Sequence, residues 1–202
     1  MRELILGMSM SLDGFVCGPN GEIDWIFSGD HEAIAWKVEN AWNASLHIMG
    51  SRTFQSMASF WPTSTTVFAP PMNQIPKAVF SKSGPAILKA GALAHIDGAQ
   101  TTQLQPGAES WAEAHVASSD LAEEITRLKA KDGKPIFAHG GAAFARSLIA
   151  ENLVDEYVLL VYPIALGKGL PIFSDLPAPR PLTLVRSRTF PSGAVAQIYR
   201  PV

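Results

Sequence analysis

Apolar residues fall in two rhythms along this chain, and the switches between them outline the fold. Residues 4–10 form a short β-compatible run that reads as a strand buried on both faces. Turn chemistry follows at Asp13-Gly14 and again at residues 17–21, so residues 13–25 read as a long irregular loop. Asp30 is placed to cap a helix through Asn43, with Ile34, Val38 and Ala41 as its apolar stripe and Trp36 and Trp42 off centre. Residues 46–49 are a second buried strand, and Gly50-Ser51-Arg52-Thr53 opens a helix that runs to Met57. Residues 77–83 are a third strand, ending in Ser81-Lys82-Ser83.

Between residues 84 and 118 no clean period survives, and the stretch reads as loop with one short strand. Asp120 with Glu123 three positions on has the capping-box form, and Leu121, Ile125 and Leu128 give that helix its face before Gly133 ends it. A strand at 136–138, the corner His139-Gly140-Gly141, a helix and an apolar strand at 156–162 come next. Residues 182–190 and 194–200 close the chain as a hairpin about Pro191-Ser192-Gly193. Strands alternating with helices, then a hairpin, predict a mixed sheet in a single α/β domain over residues 1–202.

Composition narrows the function. A formal charge of −2 and a pI near 6.2 provide no basic field for nucleic acid. The N-terminal apolar run is too short for a signal peptide, and Pro163 interrupts the apolar run at 157–166, far below a membrane span. One cysteine, Cys17, permits no intrachain disulfide, so a soluble cytoplasmic protein is expected. The five histidines have no ligand spacing, and no metal site is expected. Three strand ends do carry phosphate-compatible chemistry: Gly50 to Thr53, Ser81 to Ser83, and Gly140-Gly141. Each alone also suits simple packing.

The segments MSMSLDGFV, HIMGSRTF, IPKAVFSKS, GKPIFAHGGAAFARSLI, LVDEYVLLVYPIALGKGLPIF and RTFPSGAVAQIYRP together resemble the dihydrofolate reductase superfamily. The likeness is closest to the branch holding the reductase domain of the bifunctional riboflavin-biosynthesis deaminase/reductase. It implies a three-layer fold: a central, mainly parallel mixed sheet with an antiparallel C-terminal hairpin and helices on both faces. It also implies NADPH as cofactor, hydride transfer to a small pterin- or pyrimidine-like heterocycle, and a homodimer. Gly50, Arg52 and Thr53 match the family's phosphate corner, with Ser51 where a basic residue often stands. Ser81, Lys82 and Ser83 match the segment at the adenosine 2′-phosphate, and Gly140, Gly141, Ala142 and Ala143 match the Gly-Gly turn. In relatives a cis peptide joins those glycines, and one is expected here.

The substrate is expected near Asp13, Trp25, Phe54 and Tyr157. Asp13 and Asp30 are the catalytic candidates: Asp30 follows Trp25 at the family's five-residue offset, and Asp13 matches the Ser-x-Asp-Gly segment. Asp30 reads equally as a helix cap and Asp13 as a turn residue, Tyr157 as core filling, and His139 as an incidental neighbour of the turn. The basic residues that hold a ribityl phosphate in the riboflavin branch have no clear counterpart. A nucleotide- or pterin-binding protein without turnover is the alternative.

Overall fold

The computed structural model describes residues 1–27, 29–92, 103–174 and 176–202. Its frame is one eight-stranded sheet in the order β4-β3-β2-β5-β1-β6-β8-β7. The strands are β1 (Leu4–Ser11), β2 (Leu46–Gly50), β3 (Lys77–Phe80), β4 (His115–Ala117), β5 (Ile136–Ala138), β6 (Glu156–Tyr162), β7 (Leu182–Thr189) and β8 (Val195–Pro201). The first six in that order pair in parallel, and β8 and β7 are antiparallel. The three-layer mixed-sheet expectation is met.

Side-chain alternation divides the two faces. Leu4, Leu6 and Met10 of β1 pack with Tyr157 and Leu159 of β6 beneath α5 (Leu121–Lys129) and α6 (Ala142–Ala150). Val158, Leu160 and Tyr162 point the other way, under α1 (His31–Trp42). On that second face α2 (Ser51–Phe60) and α3 (Ala69–Gln74) cover Met49 and Val79. Gly7 lies on the α1 face, where the ring of Phe137 occupies the space a Cβ would need, 2.1 Å from its position.

Two local readings are corrected. The buried stripe of α1 is Ala33, Trp36 and Ala41, while Ile34 and Val38 are only half-buried. Trp36 is 9% exposed because it reaches over β8 to pack on Phe190. Within residues 84–118 the short strand is β4, but α4 (Ala86–Ala92) and a 3-10 turn at Ala108–Trp111 were not expected. That turn is held from outside the segment: Trp111 Nε1 donates to Asn73 Oδ1 at 2.8 Å, and the Lys77 ammonium lies 4.7 Å from the indole ring. The part of this reading on residues 93–102 lies outside the described residues.

Candidate functional site

The chain leaves β1, builds β2, β3 and β4 outward, then returns to insert β5 between β2 and β1. Such a reversal opens a crevice beyond the carboxyl ends of the strands. β3, β2 and β5 are consecutive and parallel, so Ser81, Gly50 and His139-Gly140 emerge side by side at that edge. Three stretches far apart in sequence are thus one surface.

Two helix N-termini converge there. Asp30 caps α1 and Asp120 caps α5. By contrast Gly50 stands at the cap position of α2 and Gly141 at that of α6, neither with a side-chain cap, so their first N–H groups have no such acceptor. The helices touch at this corner: a Cβ on Gly141 would lie 2.5 Å from Thr53 Oγ1, and one on Gly50 would lie 3.0 Å from the Phe144 Cβ. Gly140 faces Met8, whose Sδ would be 2.3 Å from an added Cβ. Peptide bonds are trans among the described residues, which corrects the expected cis link. The corner turns instead through positive φ at both glycines, 75° and 79°, a route open to residues without a Cβ.

Around it, Ser51 and Thr53 are half-buried and Arg52 is exposed. Ser81 is buried and turns the chain, its Oγ accepting from Ser83 N at 3.2 Å, while Lys82 and Ser83 are exposed. Ala142 is buried against the core and Ala143 is exposed.

Trp25 stands on the α1 face, its ring edge-on to Tyr162 with centroids 5.6 Å apart. Trp25 Nε1 is buried without a hydrogen-bond partner among the described residues. The same is true of His139 Nε2, whose ring packs on His47 at 4.5 Å and Phe137 at 5.0 Å. Burial, reinforced by the nearby His47 and Lys77, holds His139 well below the usual histidine range, so its imidazole is neutral. His47 Nδ1, beside His139, is likewise buried without a partner among the described residues, so these orphaned atoms form a histidine cluster near β5 and a separate indole N–H at the end of β6.

Phe54 and Tyr157 do not join them. Phe54 is 0% exposed and packs on Trp111, since α2 turns that side inward. Tyr157 is 1% exposed and packs on Phe173 beneath the opposite face, because its odd position on β6 points away from α1. Tyr162, five residues on, lies at the end of β6 on the α1 face. Its hydroxyl is pushed up by burial, with Ser9 and Asp30 nearby. Period-two sorting of β6 against the helix face would have selected it.

The two aspartates are engaged elsewhere. Asp30 Oδ1 accepts from Glu32 N and Ala33 N at 3.0 and 3.1 Å, and Oδ2 from Ser192 N at 2.8 Å. Ser192, by side chain and amide, and then the helix amides hold its carboxyl down at about 2. Asp13 accepts from Ser11 Oγ at 2.6 Å, from Leu166 N at 3.1 Å and from Gly167 N at 2.7 Å. It too is lowered to about 2, first by Ser11 and then by Gly167. Both are ionised struts, one fixing α1 to the β7–β8 turn and the other tying the end of β1 to the 164–170 loop. Neither holds a proton to donate near neutral pH.

Known proteins place this arrangement. The RibD C-terminal domain model matches residues 2–196, and the chain belongs to that family, a reductase branch with the dihydrofolate reductase fold. Over 198 residues the chain is 29% identical to YyaP of Bacillus subtilis (strain 168), an uncharacterized protein, covering 98% of this chain and 94% of the relative. A putative riboflavin biosynthesis protein from Shewanella sp. PV-4 superposes with a TM-score of 0.68 at 20% identity, over 100% of this chain and 99% of the other. A pyrimidine reductase-like protein from Corynebacterium diphtheriae gives 0.64 at 17%, over 100% and 92%. Among the described residues no helix is long and apolar enough to cross a membrane.

Proposed function

We propose that this protein is an NADPH-dependent reductase that passes hydride to a small pterin- or pyrimidine-like heterocycle. The observation that carries the reading is the adjacency of three parallel strand ends, with the uncapped N-termini of α2 and α6 meeting at Thr53 and Gly141. Gly50, Ser51, Arg52 and Thr53, with Gly140, Gly141, Ala142 and Ala143, would hold the pyrophosphate through helix-start N–H groups. Lys82, exposed between Ser81 and Ser83, would answer the 2′-phosphate. NADPH supplies the hydride when bound.

The protein's own part is placement and exclusion of water. Gly140 and Gly141 allow close approach of the backbone at the corner. Trp25 and Tyr162 would bound the acceptor ring, with Trp25 Nε1, unpaired among the described residues, as its polar contact. Asp13 and Asp30 hold the loop and α1 in position as anions. That engagement favours one alternative, a protein that binds nucleotide or pterin without turnover, because neither carboxylate is free to act as an acid. A cytoplasmic homodimer completes the proposal, the oligomer being read by sedimentation.

Thermal unfolding with and without saturating NADPH tests the cofactor: at a hundred times its dissociation constant, a ligand of the folded state stabilises by about 2.7 kcal/mol. No shift sinks the cofactor assignment. Loss of NADPH absorbance across a panel of pterins and pyrimidines then separates reductase from binder, and uniform silence favours the binder.

A further inference from the structure

The two edges of the sheet are finished differently. β4 has three residues, and its first, His115, is tied through Nε2 to the buried Glu124 of α5 at 2.6 Å. β7 has eight, Leu182–Thr189, and pairs with β8 alone. Thr183 to Thr189 are all exposed, so no helix covers this strand on either face. Leu184 and Val185 stand 52% and 54% exposed. The outward backbone N–H and C=O groups of β7 have no partner among the described residues. A long edge of this kind is a template for another strand, and proteins usually guard it with a proline, an inward charge or a bulge. Here Pro179, Pro181 and Pro191 lie outside the strand, and the bulge at Val185 leaves Arg186 to Thr189 in regular register.

The same edge carries charge that one chain does not complete. Arg186 and Arg188 stand opposite Ile198 and Ala196, which belong to the cluster under α1. Arg188 Nη2 pairs with Glu32 of α1 at 3.1 Å. Two turns further along that helix, Glu39 has no such partner. Glu39 and Arg186 both line a groove of about 290 Å³ between α1 and the hairpin, with Trp36 and Ile198. Neither is in an ion pair among the described residues. A two-fold axis normal to the sheet, passing beside Arg186, would add an antiparallel strand at β7 and keep both copies of α1 on one face. Each Arg186 then has the other copy's Glu39 as its partner, which offsets the repulsion between the two arginines.

We propose that β7 is the surface on which a second copy of this chain docks, the two sheets joining through an antiparallel β7–β7 pair closed by reciprocal Arg186–Glu39 ion pairs. The inference rests on the homodimer part of the reading above and names its interface; the hydride chemistry does not depend on it. Symmetric pairing removes the free edge from both copies at once, so assembly stops at two. An unrelated strand could use the same backbone edge, but it would not bring Glu39.

Sedimentation velocity of the full chain over a concentration series tests this. The wild type sediments as a dimer. Val185→Lys puts a charge on a side chain that is already half exposed, and it should weaken the dimer about tenfold or more while urea unfolding stays cooperative. If that variant does not unfold cooperatively, Leu184→Lys replaces it. Arg186→Glu and Glu39→Arg each set like charges at the junction and should weaken the dimer by a similar factor. Mixed in equal amounts, these two variants should associate within about twofold of the wild type, because each supplies the sign the other lacks. Pairs within one chain stay mismatched in that mixture, so recovery reports contacts between copies. A wild type that is monomeric at every concentration sinks the homodimer reading and the interface with it. A dimer that the lysine variant leaves intact, or a mixture that does not recover, overturns the interface alone.

Discussion

Gly141→Ala probes the corner on which the cofactor reading rests. Gly141 has φ 79° and ψ 125°, a region that an L-residue enters at a cost of about 1–3 kcal/mol. The new methyl would also lie 2.5 Å from Thr53 Oγ1, well inside contact distance, and overpacking of this kind costs about 1–3 kcal/mol more. The single variant should therefore lose about 2–6 kcal/mol. Thr53→Ala deletes the colliding oxygen and leaves a Cβ at 3.8 Å, an ordinary contact. In that background Gly141→Ala should cost only the backbone part, so the two substitutions couple by about 1–3 kcal/mol. Urea unfolding of the four proteins, with the denaturant slope checked for constancy, measures the cycle. A loss below about 0.5 kcal/mol for Gly141→Ala, within the range of an unconstrained surface site, would refute the strained corner. Equal losses in both backgrounds would show that α6 does not close on α2 through Thr53.

Lys82→Ala should weaken NADPH much more than NADH, measured by fluorescence titration; equal losses would remove Lys82 from the 2′-phosphate. His47, pulled down to about 4 by burial, binds its proton better in the unfolded chain. Stability should therefore rise between about pH 4 and pH 6.5, by on the order of 3 kcal/mol in all, and His47→Phe should flatten that rise in urea titrations at stepped pH. Asp13 is an acid with a lowered folded pKa, so its contribution is present above the usual aspartate value and is lost as pH falls from about 4 toward about 2. Asp13→Asn should reduce the acid-side fall of the thermal midpoint, and an unchanged slope would mean that the 164–170 loop is not held by that charge. Asp120→Ala removes the acceptor of Glu123 N and should cost about 1 kcal/mol of stability by urea unfolding; no loss would place the start of α5 elsewhere.

What the sequence reveals of this molecule depends on whether the information is local. Asp120 with Glu123, the Pro191-Ser192-Gly193 turn and the 136–138 strand each rest on neighbours within a few positions, and each element forms where expected. Residues 84–118 fail that test. Trp111, Lys77 and Asn73 build a buried knot across 38 residues of chain, so α4 and the 3-10 turn answer to a partner that the segment's own pattern does not contain. The adjacency of Gly50, Ser81 and Gly140 is of the same kind: chemistry marks each strand end, but only the insertion of β5 between β2 and β1 makes them one surface.

The substrate side shows where period alone stops. Alternation says that Tyr157 and Tyr162 lie on opposite faces of β6, yet it does not say which face α1 covers. Register settles it: Leu6, Ala138 and Tyr157 share one level under α5 and α6, whereas Tyr162 pairs with Ser11 at the far end of β1. β5 stops at Ala138 while β1 and β6 continue to Ser11 and Tyr162. The short strand leaves a notch flanked by β2 and β1, and a residue can face it only by standing beyond Ala138 and on the α1 side. His139 meets both conditions, whereas Tyr162 and the Trp25 that packs on it stand at the end of β6, on the far side of β1. Tyr157 fails both, and Phe54 is spent on Trp111. The residues that bound the notch are thus selected by where β5 ends, a property of sheet insertion rather than of any motif.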